Sequence, residues 1–222
     1  MSALVRDISP IAILLRLNAK SFEPVVAIRE KYPPSRPDLN RKQDPKRDTA
    51  PYLFIVSRLY NIKTPALQAR ISKLASLRKP FDLKIGLPRA QVMAKTFFEN
   101  GDGKREPLYG CGFEVDASPF DELKNEIFDD LNQHVEELRA GEIKPFYPQE
   151  SRRNPLMVSI RSGWQGYTRE RASEIVEELQ KQYPDGFGSV TAEGIALRGR
   201  PFRAGVAYDD ESNGGDYLFS SV

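Results

Sequence analysis

Two short stretches carry the residue types best suited to hold an anion. Residues 51–58 read PYLFIVSR, and residues 154–161 read NPLMVSIR. In each, an apolar run behind a proline ends in a serine and an arginine: Ser57 with Arg58, and Ser159 with Arg161. A guanidinium offers a planar fork of donors that fits a phosphate or a carboxylate, and a serine hydroxyl adds a short donor beside it. Side chains two apart on a strand share a face, so Ser159 and Arg161 can act together. These four residues are the ligand-binding candidates. The competing reading makes them ordinary strand-end residues with local hydrogen bonds or surface ion pairs.

Acid–base chemistry has few candidates. The chain has one histidine, His134, set among Phe120, Leu123, Ile127, Leu131 and Leu138 on the stripe of a helix pattern, where packing or a local hydrogen bond is the expected role. No catalytic residue is assigned. The one cysteine, Cys111, excludes an intrachain disulfide and any cysteine-based zinc site. Carboxylates cluster at Glu136-Glu137, Glu177-Glu178 and Asp209-Asp210-Glu211, on helix faces or in a turn with no His or Cys beside them, so neither a metal nor a cofactor is expected. No glycine-rich phosphate loop of standard spacing occurs.

Basic residues recur at 36–47, at Arg152-Arg153 and at 198–203, where they could rim an RNA-binding surface. In the first stretch Asp44 and Asp48 interleave with the cations and no aromatic is present to stack on a base, which favours a solvated loop. Trp164 and Tyr167 could stack on a base or cap the core.

The elements that position these residues follow from periodicity. Residues 11–17 (IAILLRL) form a short, nearly unbroken aliphatic strand covered on both faces. A helix over 22–32 stops at Pro33-Pro34, and a polar, basic, proline-rich loop fills 33–50. Strand 52–58 follows. Thr64-Pro65 starts a helix with Leu67, Ile71, Leu74 and Leu77 on one stripe, and 81–87 alternates as a strand. Residues 88–100 read as strand or short helix, residues 100–103 as a turn, and 109–115 as strand. The longest helix runs from Ser118-Pro119 to near Gly141. Strand 155–161, a helix capped by Thr168, and strands near 187–197, 202–208 and 217–220 complete the order.

That order gives an α+β fold with two similar halves, each a strand, a helix, a strand bearing Ser and Arg, and a further helix. With 222 residues, 40% hydrophobic and 29% charged, the chain has the composition of an ordinary globular protein with ample core. Its net charge of +2 sets up no global field for nucleic acid or anionic lipid. The longest apolar run is about a third of a membrane span, and no secretory signal is apparent, so a cytosolic or nuclear setting without a membrane partner is expected.

This layout resembles the 2H phosphoesterase superfamily, also called the 2′-5′ RNA ligase-like or cyclic phosphodiesterase fold. The similar pieces are AILLRLNAKSFEPVVAIREKYPP at the opening, PYLFIVSRLY and RRNPLMVSIRSGW where the two motif strands belong, and FGSVTAEGIALRGRPFRAGVAY at the closing hairpin. The resemblance implies a single bilobal domain over 9–222, with mixed or antiparallel sheets flanked by helices around a central cleft that the motif strands line. In the family each motif strand carries a histidine and, two residues on, a Thr or Ser, so that one imidazole serves as base and the other as acid at a phosphodiester. Here the positions are Leu53 and Ile55, or Ile55 and Ser57, on the first strand. On the second they are Leu156 and Val158, or Met157 and Ser159, the latter preferred because Ser159 and Arg161 would otherwise face the core. No register supplies a histidine. The resemblance therefore implies a pseudoenzyme that binds RNA ends or a nucleotide phosphate. The alternatives are a protein-interaction scaffold, and an enzyme acting through other residues.

Overall fold

The computed structural model describes residues 11–33, 51–99, 105–141, 156–161, 166–199 and 214–220, with the side chains of Ser57, Arg58, residues 93–99, Arg105 and Arg161 excepted. The expected loop over 33–50, the turn at 100–103, Arg152-Arg153, Trp164 and the strand over 202–208 lie wholly or almost wholly outside the described residues.

Strand β1 (Ile11–Leu17) is aliphatic except at Arg16, and its aliphatic residues are buried on both faces. Ile11, Ile13, Leu15 and Leu17 enter the main core, while Ala12 and Leu14 join Ala196 in a smaller cluster on the other face. Asn18 then caps α1 (Ala19–Lys31) by accepting from the Ser21 amide at 3.1 Å, so the helix begins earlier than its apolar period indicates.

Strand β2 (Tyr52–Leu59) is followed by α2 (Thr64–Ser76), with Pro65 in its first turn and Leu67, Ile71 and Ala75 buried. Lys63, not Thr64, takes the cap position and makes no side-chain cap bond. Leu77 falls beyond the helix and is 74% exposed, so it does not complete the expected stripe.

Strand β3 (Phe81–Glu99) takes in residues 88–99 of the ambiguous segment and pairs with β4 (Arg105–Val115). Helix α3 (Ser118–Gln133) ends at His134, whose φ of −115° and ψ of 26° break the helix before the single turn α4 (Val135–Leu138). The expected continuous helix to Gly141 is therefore two pieces. Strand β5 (Met157–Arg161), α5 (Arg169–Gln182, capped by Thr168), β6 (Gly188–Gly199) and β7 (Gly215–Leu218) complete the order.

Among the described residues the strands join into one seven-stranded sheet in the order β2-β1-β6-β3-β4-β5, with β7 also on β6, and every pairing is antiparallel. Strand β6 pairs β3 through residues 188–192 and β7 through residues 194–197. The buried residues of all five helices belong to one core cluster with Ile13, Leu15, Leu83, Phe113 and Val158. Each fully buried aliphatic or aromatic side chain there contributes on the order of 1.5–3 kcal/mol, which outweighs the modest propensity of any single helix.

The strands expected at the centre are β2 and β5, and they stand at opposite ends of the sheet order. The physical reason is long-range pairing: β6, from far along the chain, inserts between β1 and β3 and displaces both motif-like strands to the edges.

Candidate functional site

Strand register decides which side chains leave the core. On β5, Val158 lies opposite Phe113, and both are fully buried. Met157 and Ser159, opposite Glu114 and Gly112, therefore sit together on the other face of the sheet. Val158 is buried and Leu156 packs against the main core, whereas Met157 and Ser159 are only partly buried. Close contact between β4 and β5 requires a glycine here, since a Cβ on Gly112 would come within 2.4 Å of the Val158 oxygen.

On β2 the described members of the expected pairs, Leu53 and Ile55, turn toward the core. Leu53, Ile55 and Val56 all enter the main core, because the ladder with β1 slips between Leu14–Phe54 and Ile13–Val56 and turns two consecutive residues inward. The side chains on the opposite face are Tyr52, across from Arg16, and Phe54, across from Leu14 and 48% exposed. Ser57 and Arg58 occupy a second irregularity, where β2 passes from the Val56–Ile13 pair to the Leu59–Ile11 pair. Their side chains, like that of Arg161, lie outside the described set. Four strands (β1, β6, β3 and β4) separate β2 from β5 in the ladder order.

Ser159 has a partner that its sequence context does not reveal. Its main-chain oxygen, on the sheet's edge, accepts from Nε and Nη2 of Arg29 at 3.0 and 2.8 Å. The guanidinium of Arg29 also lies 5.0 Å from the centre of the Phe22 ring. Nearby, the Tyr167 hydroxyl donates to the Tyr32 oxygen at 2.8 Å, and the Tyr32 hydroxyl donates to Glu178 Oε2 at 2.8 Å. Tyr167 is buried and exchanges main-chain hydrogen bonds with Tyr109, so it caps the core and does not serve as a stacking platform.

A polar cluster that the sequence reading missed occupies the face opposite the main core. Arg16 donates from Nε to Glu193 at 2.8 Å and from Nη1 to Asp216 Oδ2. Arg198 donates from Nη2 to Asp216 Oδ1 and to the Tyr52 hydroxyl (2.8 Å), and from Nη1 to the Leu197 and Gly215 oxygens. Its guanidinium stacks 5.2 Å from the Tyr52 ring centre. Burial alone would depress the Arg198 guanidinium, but the bond to Asp216 and the neighbouring Tyr52 carry it above its ordinary value. Of the basic stretch at 198–203, Arg198 is engaged in this cluster, and Arg200 and Arg203 lie outside the described residues. The available signal was Arg16 itself, a charge inside an aliphatic strand.

His134 lies at the end of α3 with Nδ1 2.8 Å from the Asp130 main-chain oxygen, a local contact within the helix. Among the described residues no group of three or more His, Cys, Asp or Glu side chains is placed to hold a metal ion, and no helix is long and apolar enough to cross a membrane. The candidate surface thus offers hydroxyls, guanidiniums and carboxylates. Guanidiniums and hydroxyls are the donor types that suit an anion, and two-imidazole catalysis is closed to a chain with one histidine.

No protein-family model matches this chain, and no curated protein matches it. Among solved structures it is similar to the crystal structure of TT0787 of Thermus thermophilus, with 95% of each chain covered, 12% identity and a TM-score of 0.46. Likeness at that level decides neither fold family nor function.

Proposed function

We propose that this chain is a non-catalytic member of the 2H phosphoesterase-like (2′-5′ RNA ligase-like) fold that binds a phosphate-bearing ligand, an RNA end or a nucleotide, in a cleft between two lobes. The reading is carried by one observation: Ser159 and Met157 lie away from the core on β5, where the resemblance would put a hydroxyl and a histidine. A Ser at the second position keeps an oxyanion donor, whereas Met at the first cannot move a proton. Ser57, Arg58 and Arg161 supply the remaining donors in this reading. The two lobes would be β2-β1-β6-β7 and β3-β4-β5, meeting where β6 changes partner on one edge from β3 to β7. A cytosolic or nuclear setting suits such a ligand.

The test is direct binding of short 5′- or 3′-phosphorylated RNAs and of 2′,3′-cyclic nucleotides, at two salt concentrations, to the wild type and to Ser159→Ala and Arg161→Gln. The expected result is saturable binding that weakens with salt and weakens further in both variants. Binding indifferent to both substitutions, or none at all, sinks the proposal. Hydrolysis of the cyclic phosphate that Ser159→Ala abolishes would replace it with an enzyme. A protein-interaction scaffold is favoured by one observation, the half-exposed Phe54 ring on β2, and would show as partner binding lost in Phe54→Ser with phosphate binding absent.

A further inference from the structure

We propose that Arg16 and Arg198 form a second anion site, built for a phosphate group, which Asp216 of β7 occupies from within the chain. One carboxylate sits between two guanidiniums: Oδ2 accepts from Arg16 Nη1 and Oδ1 accepts from Arg198 Nη2. Each guanidinium gives the carboxylate one charged N–H, and two such donors converging on one point suit a phosphate oxygen pair equally well.

Neither fork depends on Asp216 for its position. Glu193 holds Arg16 Nε, and Asn18 Nδ2 in turn donates to Glu193 Oε2 at 2.8 Å. Arg198 is braced by two main-chain oxygens, the Tyr52 hydroxyl and the Tyr52 ring. Removing the carboxylate leaves the pair pre-organised. The site is also open to solvent, with the Arg16, Arg198 and Asp216 side chains 31%, 20% and 30% exposed.

Strand β7 does not need two arginines to stay in place. Its ladder with β6, the burial of Phe219 against Phe81 (ring centres 5.8 Å apart) and the Ser220 amide bonded to the Arg78 oxygen at 2.8 Å already fix it. A rotation of the Asp216 side chain alone vacates the site. As it stands, Arg16 and Arg198 are balanced by Asp216 and Glu193. A phosphate dianion in place of the single carboxylate charge adds attraction to the same donors.

The site shares its ligand class with the proposed cleft but none of its residues, so the two stand or fall separately. Isothermal titration with inorganic phosphate is carried out on the full chain as wild type, Asp216→Asn and Asp216→Asn/Arg198→Gln. Removal of the internal competitor is expected to tighten phosphate binding by about tenfold, on the scale of one charge-assisted hydrogen bond, and the second change abolishes it. Asp216→Asn that binds phosphate no more tightly than wild type overturns the proposal. Should that variant fail to fold, the guanidinium Nε–H resonances of wild type are followed with rising phosphate. Selective shifts of Arg16 and Arg198 support the site, and their absence overturns it. Comparing inorganic phosphate with adenosine monophosphate and a 5′-phosphorylated trinucleotide then assigns the source of the phosphate.

Discussion

The Arg29 guanidinium on α1 donates twice to the main-chain oxygen of Ser159 on β5, across 130 residues of sequence. Strand β5 ends the sheet order, so its outward carbonyls have no ladder partner among the described strands. An edge carbonyl gains from a charged donor, and here a helix near the start of the chain supplies one to a strand near its end.

Arg29→Gln should therefore loosen β5 specifically. A hydrogen bond to a charged group is worth roughly 1.5–3 kcal/mol, and a drop in stability of that order is expected, partly recovered by Arg29→Lys. Hydrogen exchange is the sharper readout: the amides of residues 157–161 should exchange faster while those of β1 do not. Equal protection of β5 in the variant would contradict this role for Arg29.

Gly112 provides a steric counterpart. An added Cβ would lie 2.4 Å from the Val158 oxygen and 2.9 Å from the Ser159 Cα, both main-chain atoms that cannot give way alone. Gly112→Ala should cost about 1–3 kcal/mol, as overpacking does. Gly86→Ala, whose nearest atom is 3.8 Å away, is the control expected to have little effect on denaturation midpoints.

Cys111 predicts an alkaline limb. Its thiol is buried beside the Ala172 oxygen at 3.7 Å, and burial pushes it from its ordinary 9.0 up to about 12. The unfolded chain loses this proton first, so stability is intact below about pH 9 and declines as pH rises towards about 12. Cys111→Ala should flatten that decline in a series of melting curves. In the native protein the thiol should resist a disulfide exchange reagent until unfolding exposes it.

Asp116 acts at the other end of the pH scale. Its Oδ1 accepts from the Ser118 amide at 3.1 Å at the start of α3, and that bond, with a further one from the Ser118 hydroxyl, holds the carboxyl below its usual value. The contribution is present above the ordinary carboxylate pKa of about 4 and is lost as pH falls through the lower folded value. Asp116→Asn should make the acid limb of thermal stability shallower. An unchanged limb would show that the carboxylate carries no stabilising charge there.

Much of the element order was legible because local pattern decides it: Ile11 to Leu17 could only be a strand buried on both faces, and Phe120, Leu123 and Ile127 could only be one helix stripe. The full length of β3 was not, since Pro88 and a register shift between Ile85 and Pro88 interrupt its alternation while its pairing with β4 continues. The face of β2 was hidden for a similar reason. A slipped ladder buries Ile55 and Val56 together, so Tyr52 and Phe54, and not Leu53 or Ile55, point the other way. On β5, where alternation is regular, Met157 and Ser159 were legible. Arg16 stood out in β1, but its partner Asp216 lies 200 residues on, a distance over which no local pattern carries information.

The pairing of Ile11 with Gly199 and of Leu17 with Ala192 has a consequence for synthesis. Strand β1 is the first described element to be made, yet its neighbour β6 is translated only after every described helix. A nascent chain therefore holds an aliphatic strand with one edge vacant until residues 192–199 emerge, the condition under which chains aggregate or engage chaperones. Strands β1 and β3 are joined into one sheet only through β6, so that junction forms late and by contacts far apart in sequence.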